Sequence, residues 1–574
     1  MARRLTARRL VGAVLVLLAP AAVCAALAAG ATWLASRYLA DEAPRALTVG
    51  PSPPPPEDFS AARGEPDPAG APAGPRRGGT LRLPGDEPTV LDPALVRDVV
   101  SAEYVAEVFG GLVTLSPALE VVPDLAESWT VDPRGTVYTF TLRAGVTFHD
   151  GTPVTAADVA FAVERACDPA TGSPVAETYL GDVVGCGRKL AGRSGAVTGV
   201  TVIDERRVAL AVDAPKAYFL AKLTYPTSFV VDRRQVESDP LWFQRPNGTG
   251  PFRLAAYRPG ERVRLEPFRG WHGDGPHLDA VELDLRPIDP VTRYENGELD
   301  ATPVGAADSE RVRDPLNPLR FEVVEGPGDL GLTYLGFHTR RAPFDDEAVR
   351  RAFAQAVDRR RLTEIVLRGS AYPIETILPP GLKGHVPDAN PYRYDPEAAR
   401  AALAASRYGS ARALPPLSLH VAGSGGGSPV AEALVDLLGE VFPGLTITVE
   451  QAPWETFQRE LDEGIYGMYL LGWAADYPDA QDFLDVLFHS RSPLNDSGFA
   501  DDQVDRWLEA ARVEPHEGRR LRAYAAAERR VLAAAPWVPL YGAVDTWLVA
   551  PHVHGFSLPA IVRPRLADVW LDGP

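Results

Sequence analysis

Cysteine is scarce in this chain: the 574 residues contain only three. Cys24 lies in an apolar N-terminal segment, whereas Cys167 and Cys186 lie further along, on either side of the stretch DPATGSPVAETYLGDVVG. The charged and apolar N-terminal segment, described below, predicts that this part of the chain lies outside the cytoplasm, where two cysteines left together usually form a disulfide. We therefore predict a Cys167–Cys186 bridge, which stabilises the fold by about 3 kcal/mol in the chain-entropy model. The alternative is a pair of buried free thiols.

The chain also lacks an excess of basic residues. It has 58 lysines and arginines against 76 acidic residues, which gives a formal net charge of −18. A nucleic-acid-binding surface needs positive charge to neutralise phosphates, so this balance argues against a nucleic-acid partner. The contents of 45% hydrophobic and 23% charged residues are typical of a soluble globular protein. The length suggests roughly three or four structural units.

The motifs that indicate an enzyme or a nucleotide-binding protein are missing. No G-x-S-x-G nucleophile turn occurs anywhere in the sequence. The stretch GSGGGS (423–428) has Ser428 where a dinucleotide fingerprint needs its third glycine, and it lacks the Gly-Lys-Ser/Thr of a phosphate loop. We interpret it as a flexible connection between a strand and a helix. The ten histidines are scattered, and we expect no enzyme activity, no metal site and no cofactor.

His149 and Asp150 are adjacent within the sequence FHDGTP, which precedes a predicted helix. Asp150-Gly151 is a typical turn sequence, and Thr155 with Asp158 three residues later has the pattern of a capping box. A metal site would need further ligands, and no HxxxH or CxxC spacing accompanies the histidine. We interpret His149-Asp150 as a structural turn.

Strands and helices alternate along the chain. Helical spacing follows Thr155, occurs twice within 343–369 with Asp345 or Asp346 and then Asp358 as N-caps, and begins again near Gln481. Alternating or continuous apolar residues predict strands within 78–85, 136–148 (two short strands), 207–215, 247–268 (two strands), 329–338, 417–451 (two strands around a helix) and 468–471. This alternation indicates α/β layers.

The N-terminus carries four arginines, followed by an uncharged apolar run from Leu10 to Ser36. A membrane span needs about 20 residues and a signal-peptide core about 7–15, so this run is long enough to span. The arginines place the N-terminus in the cytoplasm and the rest of the chain outside. We favour an uncleaved anchor over residues 1–40, with cleavage between 26 and 31 or lipidation of Cys24 as alternatives. Residues 41–77 are rich in proline and are interpreted as a linker.

The stretch LLGWAADYPDAQDFLDVLFHS (470–490) combines a strand end with an aromatic residue and several acids. The strand predicted at 468–471 ends in Gly472-Trp473, and Asp476, Asp479 and Asp482 follow. An aromatic ring and a carboxylate at a strand end suit a small cation, because the ring offers an apolar wall and the carboxylate a counter-charge. Asp476 and Trp473 are therefore the candidate ligand-binding residues. The alternative is that the aspartates only cap the following helix, which is a natural role for Asp479 and Asp482.

Five segments occur in an order that resembles a known family. They are GGTLRLPGDEPTVLDPA (78–94), PDLAESWTVDPRGTVYTFTLRAGVTFHDGTPVTAADVAFAVERACDP (123–169), NGTGPFRL (247–254), PFDDEAVRRAFAQAVDRRRL (343–362) and GWAADYPDAQDFL (472–484). Together they resemble the extracytoplasmic solute-binding proteins of peptide-type ABC importers, solute-binding family 5, which include dipeptide-, oligopeptide-, nickel- and sugar-binding members. The resemblance extends from about Gly78 to the end of the chain.

The resemblance implies an α/β fold with two lobes, the periplasmic-binding-protein-like type II fold, in which the first lobe carries an extra β-rich subdomain. It places the first lobe at 78–327, the extra subdomain at about 112–245, the second lobe at 328–544 and a return to the first lobe at 545–574. The two hinge crossings are then near 325–331 and 542–549.

The resemblance also implies roles for two residues. In peptide-binding members an acid of the GW-x-x-D segment pairs with the N-terminal ammonium of the ligand, and the tryptophan lines the pocket; these positions are Asp476 and Trp473. Many relatives have a proline after the acid at the position of Ala480. This departure from the family pattern leaves the ligand class open.

These observations predict a membrane-tethered monomer that captures short peptides outside the cytoplasm. We expect it to deliver them to an ABC permease and its ATPase. The alternative is a tethered sensor for another small solute, such as a sugar, a nickel chelate or an opine, without transport.

Overall fold

The computed structural model describes residues 74–423, 427–561 and 565–572, all within one compact unit of the chain. The predicted anchor, its alternative processing sites and nearly all of the predicted linker lie outside these residues. No helix within the described ranges is long and apolar enough to cross a membrane.

The described strands fall into two groups according to their position in the chain. The first group lies before residue 326 and after residue 545 and consists of β1 (Thr80–Pro84), β2 (Val113–Leu115), β3 (Val121–Pro123), β4 (Ala126–Val131), β5 (Val137–Leu142), β6 (Val200–Val202), β7 (Arg207–Ala211), β8 (Phe252–Arg258), β9 (Arg262–Pro267), β10 (Ala280–Asp284), β11 (Ala301–Pro303), β12 (Val323–Glu325), and finally Thr546–Val549, Val553–His554 and Trp570–Leu571. The second group consists of β13 (Gly331–Phe337), β14 (Ala371–Pro373), β15 (Leu417–Ala422), β16 (Ile447–Ala452), β17 (Met468–Ala474) and β18 (Trp537–Ala543). In the first group, Thr546–Val549 is β19, Val553–His554 is β20 and Trp570–Leu571 is β21.

The first group of strands builds several small sheets. Their orders are β1-β10-β9-β8, β4-β5-β7-β6, β11-β19-β12, β2-β3 and β20-β21. The second group builds one six-stranded sheet of order β14-β18-β13-β17-β15-β16, in which β15 runs parallel to β16 and to β17. These two groups form the first and second lobes of the two-lobe α/β fold.

Helices cover these sheets. In the first lobe they are α1 (Val99–Val108), α2 (Ala156–Ala166), α3 (Ala176–Leu180), α4 (Cys186–Leu190), α5 (Phe219–Lys222), α6 (Arg233–Ser238), α7 (Pro290–Glu295) and α8 (Ala306–Arg313). In the second lobe they are α9 (Glu347–Ala356), α10 (Arg359–Arg361), α11 (Pro396–Ala405), α12 (Pro429–Val441), α13 (Trp454–Asp462), α14 (Ala480–Phe488), α15 (Asp502–Val513) and α16 (Glu517–Ala534).

The predicted cap residues start their helices as the sequence indicates. Asp346 accepts a hydrogen bond from Ala348 N at 2.9 Å and begins α9. Asp358 begins α10, which continues as a wider π-turn over Leu362–Val366. Ile365 is exposed, although a regular helical period would place it on the same face as the buried Leu362. The wider turn changes which residues share a face, and a regular 3.6-residue period therefore misplaces Ile365.

One predicted strand is wrong. The region 136–148 forms β5, with Tyr138, Phe140 and Leu142 buried on one face, but residues 146–148 form no strand of their own. Thr147 instead makes an isolated bridge to Pro153. The chain turns back at once, because Gly151 adopts a left-handed φ of +87° and Asp150 Oδ1 accepts the N–H of Thr152 at 2.8 Å.

The predicted disulfide is confirmed. Cys167 and Cys186 are bonded and fully buried. Cys167 ends α2 and Cys186 begins α4, so the bridge fixes both ends of the segment that contains α3.

Two short connections join the two groups of strands. They are residues 326–330, between β12 and β13, and residues 544–545, between β18 and β19. Gly326 N donates to Asp545 O at 2.9 Å, so the two connections run side by side. The lobe boundaries at 327/328 and 544/545 and the hinge crossings stay predictions.

Candidate functional site

The candidate site begins at the end of β17. This strand extends to Ala474, three residues beyond its predicted end, because it pairs with β13 along its whole length from Met468 to Ala474. Trp473 therefore lies in the strand, and Asp476 lies in the turn between β17 and α14. Asp479 is the N-cap of α14 and accepts the N–H of Gln481 at 2.9 Å.

Asp482 does more than the capping role considered for it from the sequence. It lies in the first turn of α14 and is fully buried. Its Oδ2 accepts two hydrogen bonds, one from the Asp476 backbone N at 3.0 Å and one from the Trp473 indole Nε1 at 3.3 Å. A single carboxylate oxygen thus holds both predicted ligand-binding residues in position.

Asp476 is half-buried and meets the first lobe. The hydroxyl of Tyr179, on α3, donates a hydrogen bond to Asp476 Oδ2. The Tyr179 ring stacks on Tyr225 with a centroid distance of 4.0 Å and an interplanar angle of 8°. The ring of Tyr477 stands edge-on to Tyr179 at 6.3 Å. The carboxylate of the second lobe therefore lies where the two lobes touch.

The charge of Asp476 has no counter-ion among the described residues, where neither Asp476 nor Asp482 forms an ion pair with a lysine or arginine. Burial raises the pKa of Asp476. Burial, together with the nearby Asp476 charge, raises the pKa of Asp482 well above its ordinary value. Burying a carboxylate without a cation is unfavourable, so this site favours a positively charged guest.

The neighbouring acids of the same segment are neutralised. Asp479 forms a bidentate ion pair with Arg520, with both N–O distances at 2.8 Å. Asp485 forms one with Arg512 at 2.7 and 2.8 Å. Asp479 and Asp485 are therefore structural acids, each neutralised by an arginine, whereas Asp476 and Asp482 have no such partner among the described residues. The sequence pattern alone does not separate these two pairs.

A cleft of about 510 Å³ also lies between the lobes. Its walls include Arg97 and Pro174 from the first lobe and Trp454 and Asp462 from the second. Arg97 Nη1 and Nη2 donate to the two Asp462 oxygens at 2.9 and 3.1 Å, so an ion pair joins the two walls of the cleft. This volume is within the range of small-molecule binding sites.

The His149 turn is structural, as predicted. The ring is buried, its Nδ1 accepts the N–H of Gly248 at 3.2 Å, and its Nε2 lies 3.1 Å from the carbonyl oxygen of Gly250. Both contacts are satisfied by the neutral ring protonated at Nε2. Burial lowers the pKa of His149 to about 4, which keeps the ring neutral.

Two further predictions concern the glycine-rich stretch and metal binding. Residues 424–426 lie outside the described residues, but their flanks form a β15–α12 connection, and Ser428 is the N-cap of α12. Across the described part of the chain, no group of histidine, cysteine and acidic side chains is arranged to hold a metal ion.

Comparison with known proteins identifies the family. A family model described as bacterial extracellular solute-binding proteins, family 5 Middle, matches residues 120–495, which is more than half of the chain. The chain belongs to this family. Family 5 relatives include the dipeptide-binding protein DppE of Bacillus subtilis, which is 27% identical over 508 residues, 85% of this chain and 90% of DppE.

Solved structures of another family 5 protein show the same fold and indicate the arrangement of the lobes. The murein tripeptide-binding protein MppA of Escherichia coli superposes with a TM-score of 0.78 at 25% identity, over 87% of this chain and 99% of MppA. Its unliganded open form covers the same shares of both chains but gives a TM-score of only 0.64. Because the relative is the same, the lower score indicates that the lobes of this chain are not in the open arrangement. In this arrangement the Tyr179–Asp476 and Arg97–Asp462 contacts join the two lobes.

Proposed function

We propose that this protein captures short peptides between its lobes and delivers them to an ABC permease with its ATPase. The proposal is supported by the relatives, which include proteins named for binding a dipeptide and a murein tripeptide. The observation that carries it is the Asp476 carboxylate, which is half-buried at the lobe contact and lacks a cationic partner among the described residues. A peptide ammonium group supplies that missing charge.

In this proposal Asp476 pairs with the N-terminal ammonium of the peptide and Trp473 forms a wall of the pocket. A hydrogen bond to a charged group contributes about 1.5–3 kcal/mol and is worth more where a closed cleft excludes water. The Trp473 ring is oriented by its hydrogen bond to Asp482. The peptide favours the closed state because it contacts both lobes, and a ligand that touched only one would not shift the equilibrium.

The remaining parts of the proposal concern the chain outside the site. The lobes meet at the proposed boundaries 327/328 and 544/545 and close about the two connections there. The apolar N-terminal segment tethers the protein to the cell membrane, with the lobes outside the cytoplasm, and the protein binds its solute without chemical change. Native mass spectrometry of the exported protein tests the tether, since an intact N-terminus is expected, and it identifies any peptide that co-purifies.

Replacing Asp476 tests the proposed function directly. The probe is the tightest binder from a synthetic pool of random di- to pentapeptides, selected with the wild-type protein by native mass spectrometry. We expect Asp476→Ala to weaken the affinity for this peptide by at least about 10-fold in calorimetry. We expect its melting temperature to stay within about 2 °C of the wild-type value, because the residue forms no ion pair that stabilises the fold.

Two controls make the result specific. Asp388→Ala removes the same charge from a side chain that is 93% exposed, and it should leave the affinity unchanged. An N-acetylated form of the probe peptide lacks the ammonium charge, and it should bind wild type and Asp476→Ala equally weakly. Wild-type affinity in Asp476→Ala, or no peptide bound from the pool, contradicts the proposed function.

A further inference from the structure

Few lysine and arginine side chains of this protein are buried, and nearly all of those have an anionic or carbonyl partner. Among the described residues the buried ones are Lys189, Lys216, Lys222, Arg293, Arg350, Arg359 and Arg520. Five of them form ion pairs with aspartates or glutamates, and Arg350 donates to two backbone carbonyls. Within this set, Arg359 has neither an ion pair nor a second carbonyl partner.

The Arg359 side chain connects α10 with β18. It is 4% exposed, and its Nε donates to the Pro539 carbonyl oxygen on β18 at 2.6 Å. Its Nη1 and Nη2 groups are buried, and neither has a hydrogen-bond acceptor among the described residues. Each of these groups carries two N–H bonds, so the described protein atoms leave four of the five donors of this guanidinium unsatisfied.

The charged residues around Arg359 do not supply its missing counter-charge. The positive charge of Arg393 acts on it more strongly than the negative charge of Asp358 does. Asp358 is engaged as the N-cap of α10, and Arg393 is itself paired with Glu375 and Asp388. Burial, and to a lesser degree the Arg393 charge, lowers the pKa of Arg359 to about 10, so the guanidinium stays charged at neutral pH.

A buried positive charge with unpaired donors favours an anion over a water molecule. Water would accept hydrogen bonds from Nη1 and Nη2, but it would leave the charge uncompensated, and an uncompensated buried charge is strongly unfavourable. A small anion meets both needs, because the two groups of the guanidinium fork can donate to one acceptor. A sulfate or phosphate ion carries more charge and more oxygens than one arginine satisfies, so the chemistry selects a monovalent anion of the size of chloride.

We propose that Arg359 is the centre of a buried anion site in the second lobe, where a chloride-sized monovalent anion accepts hydrogen bonds from Nη1 and Nη2 and neutralises the guanidinium. This site goes beyond the proposed function and does not depend on it. Through Arg359 the anion links α10 to β18, the strand that precedes the connection at 544–545. A ligand that binds only the folded protein shifts the unfolding equilibrium by mass action, so the anion stabilises the fold.

Crystals of the wild-type protein test the site directly. Grown without chloride and soaked in sodium bromide, they should show an anomalous peak for bromide within hydrogen-bonding distance of Arg359 Nη1 and Nη2. A water molecule or a protein carbonyl in that place, with no bromide peak, overturns the proposal.

Thermal unfolding tests the same site in solution. Sodium chloride replaces sodium gluconate, whose anion is too large to be enclosed, at a constant ionic strength of about 0.2 M, so that the general screening of charges stays the same. We expect the wild-type melting temperature to rise by at least about 2 °C as chloride replaces gluconate. Arg359→Met, which keeps an unbranched side chain but loses the charge, should show no such rise.

Arg360→Gln is the matched control. The neighbouring arginine is exposed, so this variant loses the same charge but should keep the chloride-dependent rise. A wild-type melting temperature that is the same in both salts, or an equal rise in Arg359→Met, overturns the proposal. A bromide peak in the crystal without a wild-type response in solution also overturns it, because it shows binding at crystal concentration only. If Arg359→Met fails to fold, the wild-type crystal and the wild-type comparison of the two salts still decide.

Discussion

At the residue scale, the sequence singled out Asp476 and Trp473 but not the groups that hold them. From the sequence, Asp482 could be considered only as a helix cap. The local spacing shows that an acid lies near a helix start, but it does not show which hydrogen-bond donors the carboxylate will contact. Its two donors come from the preceding strand and turn, and the pairing of β17 with β13 sets their direction. The functional roles of Asp476 and Trp473 stay predictions.

Glu528 is a second buried acid whose protonation can be tested. Its Oε1 accepts the N–H groups of Ile377 and Leu378, both at 2.9 Å, while Oε2 has no partner among the described residues. Burial raises the pKa of Glu528 from 4.5 to about 7. A raised folded-state pKa means that this group's contribution to stability is fully present below about pH 4.5 and is lost as the pH rises through about 7.

Glu528→Gln should therefore become the more stable protein at high pH. The amide keeps the accepting oxygen and never ionises, so the free energy of unfolding of the variant relative to wild type should rise by about 2 kcal/mol between pH 5 and pH 8. Urea unfolding of both proteins at the two pH values measures this. A difference that does not change with pH would show that Glu528 ionises without penalty in the folded protein.

At the element scale, the cap residues predicted from the sequence begin their helices, while strand ends were less predictable. Asp346, Asp358 and Asp479 all begin helices, because capping depends only on residues within one turn. Strand length depends on a partner that is distant in sequence. Residues 146–148 found no partner strand, and β17 extended beyond its predicted end because β13 continued beside it.

Asp479 shows how tertiary structure adds to a local cap. Asp479→Ala removes the N-cap of α14 and also leaves the buried Arg520 guanidinium without its carboxylate. We expect a loss of about 3–5 kcal/mol in the free energy of unfolding, since an unpaired buried charge is strongly destabilising.

Asp395→Ala is the matched control for this element. Asp395 caps α11 by accepting the N–H groups of Glu397 and Ala398 at 3.0 and 2.9 Å, and it is exposed. Its loss should cost about 1 kcal/mol, the usual value for a cap. Equal losses in the two variants, measured by urea unfolding, would mean that the Arg520 pair contributes nothing to stability.

At the scale of the whole molecule, several kinds of contact join the lobes. Leu115, on β2 of the first lobe, packs into the apolar cluster of the second lobe. Arg97 pairs with Asp462 at the cleft, with side chains 25% and 38% exposed. Tyr179 meets Asp476. Among the described residues, the contacts between the lobes thus include apolar burial, a partly exposed ion pair and a hydrogen bond near the proposed ligand site.

The ion pair should contribute least to closure. We expect Arg97→Gln to weaken the affinity for the probe peptide by no more than about fivefold, because partly exposed ion pairs contribute about 0.2–1 kcal/mol. The effect should shrink in 0.5 M salt, which screens such a pair. Calorimetry at low and high salt measures both. A loss as large as that of Asp476→Ala would instead indicate that Arg97 contacts the peptide.

The sequence by itself determined the family, the two-lobe fold and the disulfide, because these follow from the order of its segments and cysteines. It also determined several helix caps, because a cap depends on contacts within one turn. It also placed an acid and a tryptophan in one segment. Only the tertiary structure decided which acids are neutralised by arginine and which are not, and that a tyrosine 297 positions away meets Asp476. Those outcomes depend on how the lobes fold against each other. Contacts between residues so far apart in the chain leave no recognisable spacing pattern in the sequence.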